Sequence, residues 1–403
     1  MLIITAPGQG AQTPGFLAPW LELPGVADRL GAWSELAHCD LIRYGTTAGA
    51  DEIRDTAVAQ PLLVAAAIAA AGALADGDPG AVGADAAAGH SVGELAAGVL
   101  ADVLGSDDAM RLVGTRGAAM ASAAATEPTG MTAVLGGDED EVLAAIARSG
   151  LTPANVNGAG QIVAAGTLAE LEAFAADPPA GARLRPLQVA GAFHTRHMAP
   201  AVAALRNAAA EVSVRDPAIT LLSDADGAAV STGRDWLERI VAQVAAPVRW
   251  DLCMRTMADL GVTAVIELPP AGTLVGLTRR ALPGVAHLAL KTPDQLGGAR
   301  DLIREHCTEP DGHGHESLRE WRLIVAPTSG TFRVPAGRAD TAATDAMVPL
   351  TAALGTIVAR DGAHAVSAPW PWGAAEIIEW LVEDGDPVSQ GQPLLRLQPR
   401  EDA

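Results

Sequence analysis

Ser91 sits in Gly89-His90-Ser91-Val92-Gly93-Glu94, between the Ala-rich run Ala84 to Ala88 and a helical pattern that begins at Glu94. A tight turn from strand to helix presents a hydroxyl as a nucleophile and aims the free N–H groups of the helix start at its oxygen. Gly89 and Gly93 remove side chains that would crowd such a turn. A Gly-x-Ser-x-Gly string also arises by chance in a chain with 43 glycines, so it needs chemical partners. A serine hydroxyl at neutral pH requires a base to take its proton and donors to hold the oxyanion that forms. His194, in Gly191-Ala192-Phe193-His194-Thr195, is the candidate base, and the apolar segment Leu187 to Phe193 before it predicts a buried strand that would project the ring from its end. Pro7-Gly8-Gln9-Gly10-Ala11-Gln12 follows the apolar start Leu2-Ile3-Ile4-Thr5, again a strand feeding a glycine loop. The Gln9 amide is the candidate for one half of the oxyanion hole and the Val92 amide for the other.

The elements that must carry these groups are legible in outline. A strand at about Ala84 to Ala88, apolar Thr132 to Leu135, a helix over Asp138 to Ser149, a strand over Gln161 to Ala165, a helix over Leu168 to Ala176 and a strand over Arg185 to Ala190 follow one another. The latter five resemble a small ferredoxin-like insert, over about residues 130–191, set above a larger α/β body with the reactive groups in the cleft between them. At 403 residues the chain exceeds one core of ordinary size, and two or three units are expected. Hydrophobic residues make up 49% but aromatics only 3%, so helices packed through Ala, Val and Leu should dominate. The longest apolar run, Leu62 to Ala75, is too short and Ala-rich for a membrane span and reads as a buried helix. Three scattered cysteines, Cys39, Cys253 and Cys307, form no disulfide framework, and no secretory pattern opens the chain, so a reducing cytoplasm is expected. A formal charge of −21 argues against a nucleic-acid partner.

Gln9 to Gln12, Gln60-Pro61, Gly89 to Glu94, Arg116-Gly117, Asn157 with Gln161, Gly191 to Thr195, Gln243 with Pro247-Val248-x-Trp250, and Gly272 to Leu277 occur in the order and approximate spacing of malonyl-CoA:acyl carrier protein transacylases. The resemblance covers residues 1 to about 305. It implies an acyltransferase body like that of α/β-hydrolases, and a ping-pong reaction between malonyl-CoA and the phosphopantetheine thiol of acyl carrier protein, in fatty-acid or polyketide synthesis. In that reaction Ser91 would carry the acyl group, and His194 would act as base and then acid. A backbone carbonyl, which the motif places at Gln243, would orient His194 in place of a triad carboxylate. Arg116 resembles the residue that holds the free carboxylate of the substrate; a guanidinium suits that task because its fork matches a carboxylate. Gln60, Phe193 and Asn157 would complete the substrate site. Phe193 would fill the volume that a 2-methyl branch needs, and so favour malonyl over methylmalonyl. His197 and Arg111 lack a motif match and read as structural. Neither a cofactor nor a metal is implied, and no membrane partner. Because CoA and acyl carrier protein are acidic, Arg249, Arg279, Arg280 and Lys291 are candidate local cations. Leu268-Pro269-Pro270-Ala271-Gly272 departs from the family's Gly-Pro-Gly, since Pro269 cannot take a left-handed conformation. A serine acyl hydrolase shares the same nucleophile and base, and a scaffold with an idle transferase is a second rival; Arg116 and the Gln243 segment weigh against the first, and intact Ser91, His194 and Gln9 against the second.

From about residue 306 the chain turns polar, and 306–320 reads as a linker; its His and Cys spacing fits no familiar metal site. Residues 321–400 contain two similar halves, Val325-Ala326-Pro327-x-x-Gly330 and Ser367-Ala368-Pro369-x-x-x-Gly373, and Val382 to Leu395 resembles biotinyl and lipoyl domains, which are flattened all-β barrels. That family carries its modified lysine on a hairpin tip just before the Ala-Pro turn. Here the equivalent stretch, Arg360-Asp361-Gly362-Ala363-His364, has none, and Lys291 is the only lysine in the chain. An amide link to biotin or lipoate requires a primary amine, so the tail is expected to be a docking module, for a fatty-acid synthesis or carboxylase component, or a passive appendage.

Overall fold

In the computed structural model, the described residues are 1–75, 77–189, 191–307, 322–334, 347–349, 354–360, 362–366 and 374–400. The chain divides into two compact units, Met1–Pro310 and Asp311–Ala403. The remainder of the linker segment and the Ser367 to Gly373 half-repeat lie outside the described residues.

Every residue of the first strand, Leu2–Ala6 (β1), is buried, which is the signature of a strand covered on both faces. It lies at the centre of a parallel sheet with Ala86–Gly89 (β2), Thr220–Leu222 (β7), Ala264–Glu267 (β8) and Ala286–Ala289 (β9), in the order β7-β2-β1-β8-β9. The period of two sends Leu2, Ile4 and Ala6 into one apolar cluster and Ile3 into another, with Ala86, Ala88 and Val265. Helices pack against these faces. The helix Thr56–Leu74 holds the expected apolar run; by length and composition it is able to cross a membrane, but 83% of its apolar window is buried inside the protein. Close contact elsewhere depends on small residues: a Cβ at Gly98 would lie 2.4 Å from the ring of the buried Trp236.

Between β2 and β7 the chain builds a second sheet from Thr129–Gly136 (β3), Thr152–Gly158 (β4), Gln161–Thr167 (β5) and Ala182–Pro186 (β6). It is antiparallel, in the order β4-β5-β3-β6. With helices Glu139–Arg148 and Leu168–Ala176 inserted after β3 and β5, this is the βαββαβ connection of ferredoxin-like subdomains. Alternation again assigns the faces: Val134, Ile162 and Ala164 pack under the helices with Ile146 and Phe174, whereas Met131, Ala133 and Val163 turn to the cleft. Thr167 and Glu170 form a reciprocal capping box that starts the second helix.

The expected strands at Arg185 to Ala190 and Leu187 to Phe193 are not present as such. β6 ends at Pro186, and the described residues from Leu187 to Phe193 are irregular (Ala190 lies outside the described set). Their backbone bonds show why, because the chain must return from the small sheet to the body. Leu187 N–H donates to Met131 O at 2.9 Å, but Ala192 N–H is taken by Thr129 Oγ1 at 3.0 Å and His194 N–H by Val244 O at 3.2 Å. After Leu187, neither of these bonds joins a backbone strand ladder.

In the second unit the described residues form two four-stranded antiparallel sheets. One contains Arg322–Val325, Pro393–Arg400, Ala374–Trp380 and Met347–Pro349; the other contains Gly362–Val366, Gly355–Ala359, Gly330–Arg333 and Pro387–Val388. Ile324, Phe332, Ile357, Ile377, Val382, Leu394 and Leu395 make its own core.

Candidate active site

Ser91 has φ 54, the left-handed region that a non-glycine residue adopts at a cost. It caps β2 at the bend into the helix Gly93–Leu100. Both flanking glycines are sterically required, since a Cβ at Gly89 would meet Glu94 N at 2.1 Å and one at Gly93 would meet Ala6 O at 2.2 Å. The hydroxyl faces a cavity of ≈ 250 Å³ between the parallel body and the small sheet.

His194 also has a positive φ, 61, and is 4% exposed. Its Nε2 lies 2.7 Å from Ser91 Oγ. Its Nδ1 lies 2.8 Å from the carbonyl oxygen of Gln243, the last residue of the helix Gly233–Gln243. A carbonyl only accepts, so Nδ1 carries the proton and Nε2 is left to accept from the serine. The carbonyl is at the negative end of the helix dipole, which favours an imidazolium should one form. Burial first, then the neighbouring Arg116, push the His194 pKa down to about 3, so the resting ring is neutral.

Arg116, from the helix Ser106–Ala124, is 1% exposed. Nη1 donates to Gln60 Oε1 at 2.5 Å, and Nη2 donates to Gln243 Oε1 at 2.6 Å and to Ser91 Oγ at 3.3 Å. Gln60 is held in turn by donating to Thr56 Oγ1 at 3.1 Å. Burial lowers the guanidinium pKa to about 10, which still leaves it charged at neutral pH. A guanidinium has five N–H groups and these three bonds do not use them all, so donors remain for an anion in the cavity.

Gln9 and Val92 line the same cavity, and neither backbone N–H has a hydrogen-bond partner among the described residues. The Gln9 side chain is occupied elsewhere: it donates to Arg54 O and accepts from Thr56 Oγ1. Phe193 and Asn157 also line the cavity. Asn157 is committed on both sides, with His90 Nε2 at 2.8 Å from its Oδ1 and its own amide donating to Gln161 Oε1 at 2.9 Å. The structure therefore gathers Ser91, His194, Arg116, Gln60, Gln9, Val92, Phe193 and Asn157 around one cavity, with Gln243 just behind it. His197 sits apart, beside Glu127 at 3.0 Å. Arg249 is not a free cation, because Asp251 grips it with two bonds of 2.9 and 2.8 Å; Arg279, Arg280 and Lys291 are exposed. In the departing loop, left-handed geometry moves past the prolines to Ala271 (φ 37) and Gly272 (φ 122), and the Glu267 carboxylate accepts the N–H groups of Gly272, Leu274 and Val275.

Sequence reasoning missed a layer beneath the serine. Asp224, fully buried, accepts the Ser91 N–H at 2.6 Å and the Gln243 side-chain amide at 3.0 Å. Glu94, also buried, accepts the Asp224 N–H at 2.8 Å and contacts the same Gln243 amide. Glu94 belongs to the serine motif and was assigned no role there; Asp224, in Ser223-Asp224-Ala225-Asp226-Gly227, looks like any polar turn.

A serine turned sharply out of a parallel sheet, hydrogen-bonded to a neutral histidine and to a buried cation, defines a serine acyl-group enzyme. The chain matches the acyl transferase domain family over residues 8–292. It is 55% identical over 302 residues to the malonyl CoA-acyl carrier protein transacylase of Mycobacterium tuberculosis (strain ATCC 25618 / H37Rv), which covers 75% of this chain and 100% of that protein. The crystal structure of MCAT from Mycobacterium tuberculosis superposes with a TM-score of 0.72 at 54% identity, over 74% of this chain and 99% of the other. A malonyl-transacylase solved in complex with a type II PKS acyl-carrier protein superposes with a TM-score of 0.69 at 28% identity, over 75% of this chain and 99% of that one. This chain belongs to the acyl transferase domain family and, within it, to the malonyl CoA-acyl carrier protein transacylases.

Proposed function

We propose that the first unit transfers a malonyl group from malonyl-CoA to the phosphopantetheine thiol of acyl carrier protein through an ester on Ser91. The observation that carries this reading is the position of Ser91 Oγ, 2.7 Å from His194 Nε2 and 3.3 Å from Arg116 Nη2 in one cavity. Ser91 Oγ attacks the thioester carbonyl as its proton passes to His194 Nε2, and the Gln9 and Val92 amides receive the oxyanion. The C–S bond breaks, and His194 returns the proton to the leaving thiolate. In the second half the carrier thiol gives its proton to His194 and attacks the ester, and Ser91 recovers the proton as the C–O bond breaks. Gln243 O keeps Nδ1 protonated throughout, so that Nε2 does all the exchange.

Arg116 binds the distal carboxylate with its remaining N–H groups. That pairing also removes part of the positive field that depresses His194, so a diacid substrate strengthens the base that acts on it. An acetyl group lacks the carboxylate and does neither. Gln60 fixes the guanidinium, and Phe193 limits the room beside the acyl carbon. Asn157 orders the small-sheet wall. The transfer moves an acyl group between thioester and ester, chemistry that calls for no cofactor, and a cytoplasmic location suits it.

For the second unit we propose a biotinyl/lipoyl-like fold over about residues 321–400, following a linker at 306–320. Two four-stranded sheets and the hairpin Gly355–Ala359 to Gly362–Val366 support this reading, with Arg360 at the turn where an attachment lysine would stand. Without that amine the unit serves as a docking module for a biosynthetic partner.

The test is to mix the protein with malonyl-CoA and map adducts by peptide mass spectrometry. A Ser91 ester that moves to added carrier protein is expected; an ester lost to water at the same rate with and without carrier would make the enzyme a hydrolase. Ser91→Ala should leave no adduct.

A further inference from the structure

Beneath the reactive serine lie two carboxyl groups with no place in the acyl-transfer steps. Glu94 and Asp224 are 130 residues apart in sequence, fully buried and in contact with each other. Their partners are specific. Asp224 Oδ2 accepts the backbone N–H of Ser91, and Asp224 Oδ1 accepts the Gln243 amide, whose own oxygen accepts from Arg116 Nη2. The Gln243 side chain thus forms a single polar bridge from the carboxyl pair to the guanidinium. Resting on the reading of Arg116 as the carboxylate-binding residue, we infer that Glu94 and Asp224 are positioning residues for malonyl selectivity, which hold a proton between them and so limit the negative charge set against Arg116.

The charges that face the pair can be counted. Arg116 contributes the positive charge from the helix Ser106–Ala124. His194 is buried and His90 half-buried, and loss of solvent pushes both towards the neutral form. Cys253, from the helix Trp250–Asp259, donates its thiol to Ser223 O and is pushed towards the neutral form by burial and by these carboxylates. Asp226 and Asp251 are compensated by Arg239 and Arg249. With one proton on the pair, its single negative charge balances Arg116. With none, the pair overbalances the guanidinium and repels the distal carboxylate of a malonyl group. Burial raises both carboxyl pKa values, Asp224 to about 7 and Glu94 well above the ordinary carboxyl range with the Asp224 charge adding to it, so the pair retains a proton at neutral pH and the two groups titrate as a unit. Malonyl binding adds a further negative charge beside Arg116 and must therefore draw protons onto the pair. Acetyl binding has no such linkage.

Single-turnover acylation of Ser91 by malonyl-CoA and by acetyl-CoA, from about pH 6 to about pH 9 across the range in which the pair ionises, tests this. In the parent protein malonyl kcat/KM should fall as the pair loses its protons, by at most about tenfold per pH unit and carried mainly by KM, while the acetyl profile lacks that fall. Asp224→Asn fixes one member in a neutral form of the same shape and should flatten the malonyl profile; Glu94→Gln should do the same from the other side. A malonyl profile in both variants that superimposes on the parent, with the parent loading malonyl normally, overturns the inference alone. Absence of malonyl on Ser91 in the parent would instead overturn the transferase reading on which the inference rests.

Discussion

Replacing Arg116 by alanine separates carboxylate recognition from general catalysis. The guanidinium donates to Ser91 Oγ at 3.3 Å, a contact that acts on any acyl group, and Arg116 lines the cavity with N–H groups left over for a carboxylate, which malonyl has and acetyl lacks. A buried hydrogen bond to a charged group contributes about 1.5 to 3 kcal/mol, which corresponds to a preference of about 10- to 150-fold. The ratio of malonyl to acetyl kcat/KM should therefore fall by about that factor in Arg116→Ala, whatever happens to the absolute rates. The ratio is the informative quantity because loss of the Ser91 contact cancels from it. The truncation also leaves the side-chain carbonyls of Gln60 and Gln243 without their donor, at about 1 to 3 kcal/mol each before water enters the space, so thermal melts must accompany the kinetics. Rapid-quench acylation with each thioester, scored by intact mass, gives both rates. An unchanged ratio in a folded variant would refute the carboxylate assignment, and with it the account of diacid preference.

Folding stability should depend on pH through His194 and Asp224 in opposite senses. His194 is lowered from 6.5 to about 3, so the stability of its neutral form is complete above 6.5 and is lost as pH falls towards 3, at up to about 1.4 kcal/mol per unit. Asp224 is raised from 3.8 to about 7, so its contribution is complete below 3.8 and is lost as pH rises through 7. Denaturant melts across this range should show a shallower alkaline loss in Asp224→Asn; parallel slopes would contradict the assignment. Gly98→Ala forces a Cβ to within 2.4 Å of Trp236 and should cost about 1 to 3 kcal/mol in urea unfolding, with little effect on the acyl site. Ending the chain at Pro310, the boundary of the first unit, should leave transfer to free carrier protein unchanged, as measured by steady-state kinetics on the folded truncate. A large fall in turnover there would give the second unit a part in the reaction.

The serine turn was legible in the chain because its constraints are local. Gly93 is required by the approach of Ala6 and Pro7, but Gly89 is required by contacts with Gly93 and Glu94 of the same turn, so the sequence around Ser91 carries much of its own geometry. The same holds for the capped helix after Thr167 and for the alternating faces of β3 and β5, which follow from hydrogen bonding and periodicity within a few residues. Leu187 to Phe193 misled for the opposite reason. Its apolar residues suit a strand, but the bonds to Thr129 and Val244 that hold it are set by the need to rejoin a distant sheet. Asp224 and Glu94 were invisible as a pair, since a carboxylate in a short polar segment gives no sign of being buried, and its ionisation depends on which groups the fold brings beside it. Residue types and local turns thus pointed to the candidate nucleophile, its candidate base and the family. Only tertiary packing joined Arg116 to Gln60, Gln243 and the buried acids, because the energy of a desolvated charge is decided by neighbours that the chain brings together from far apart.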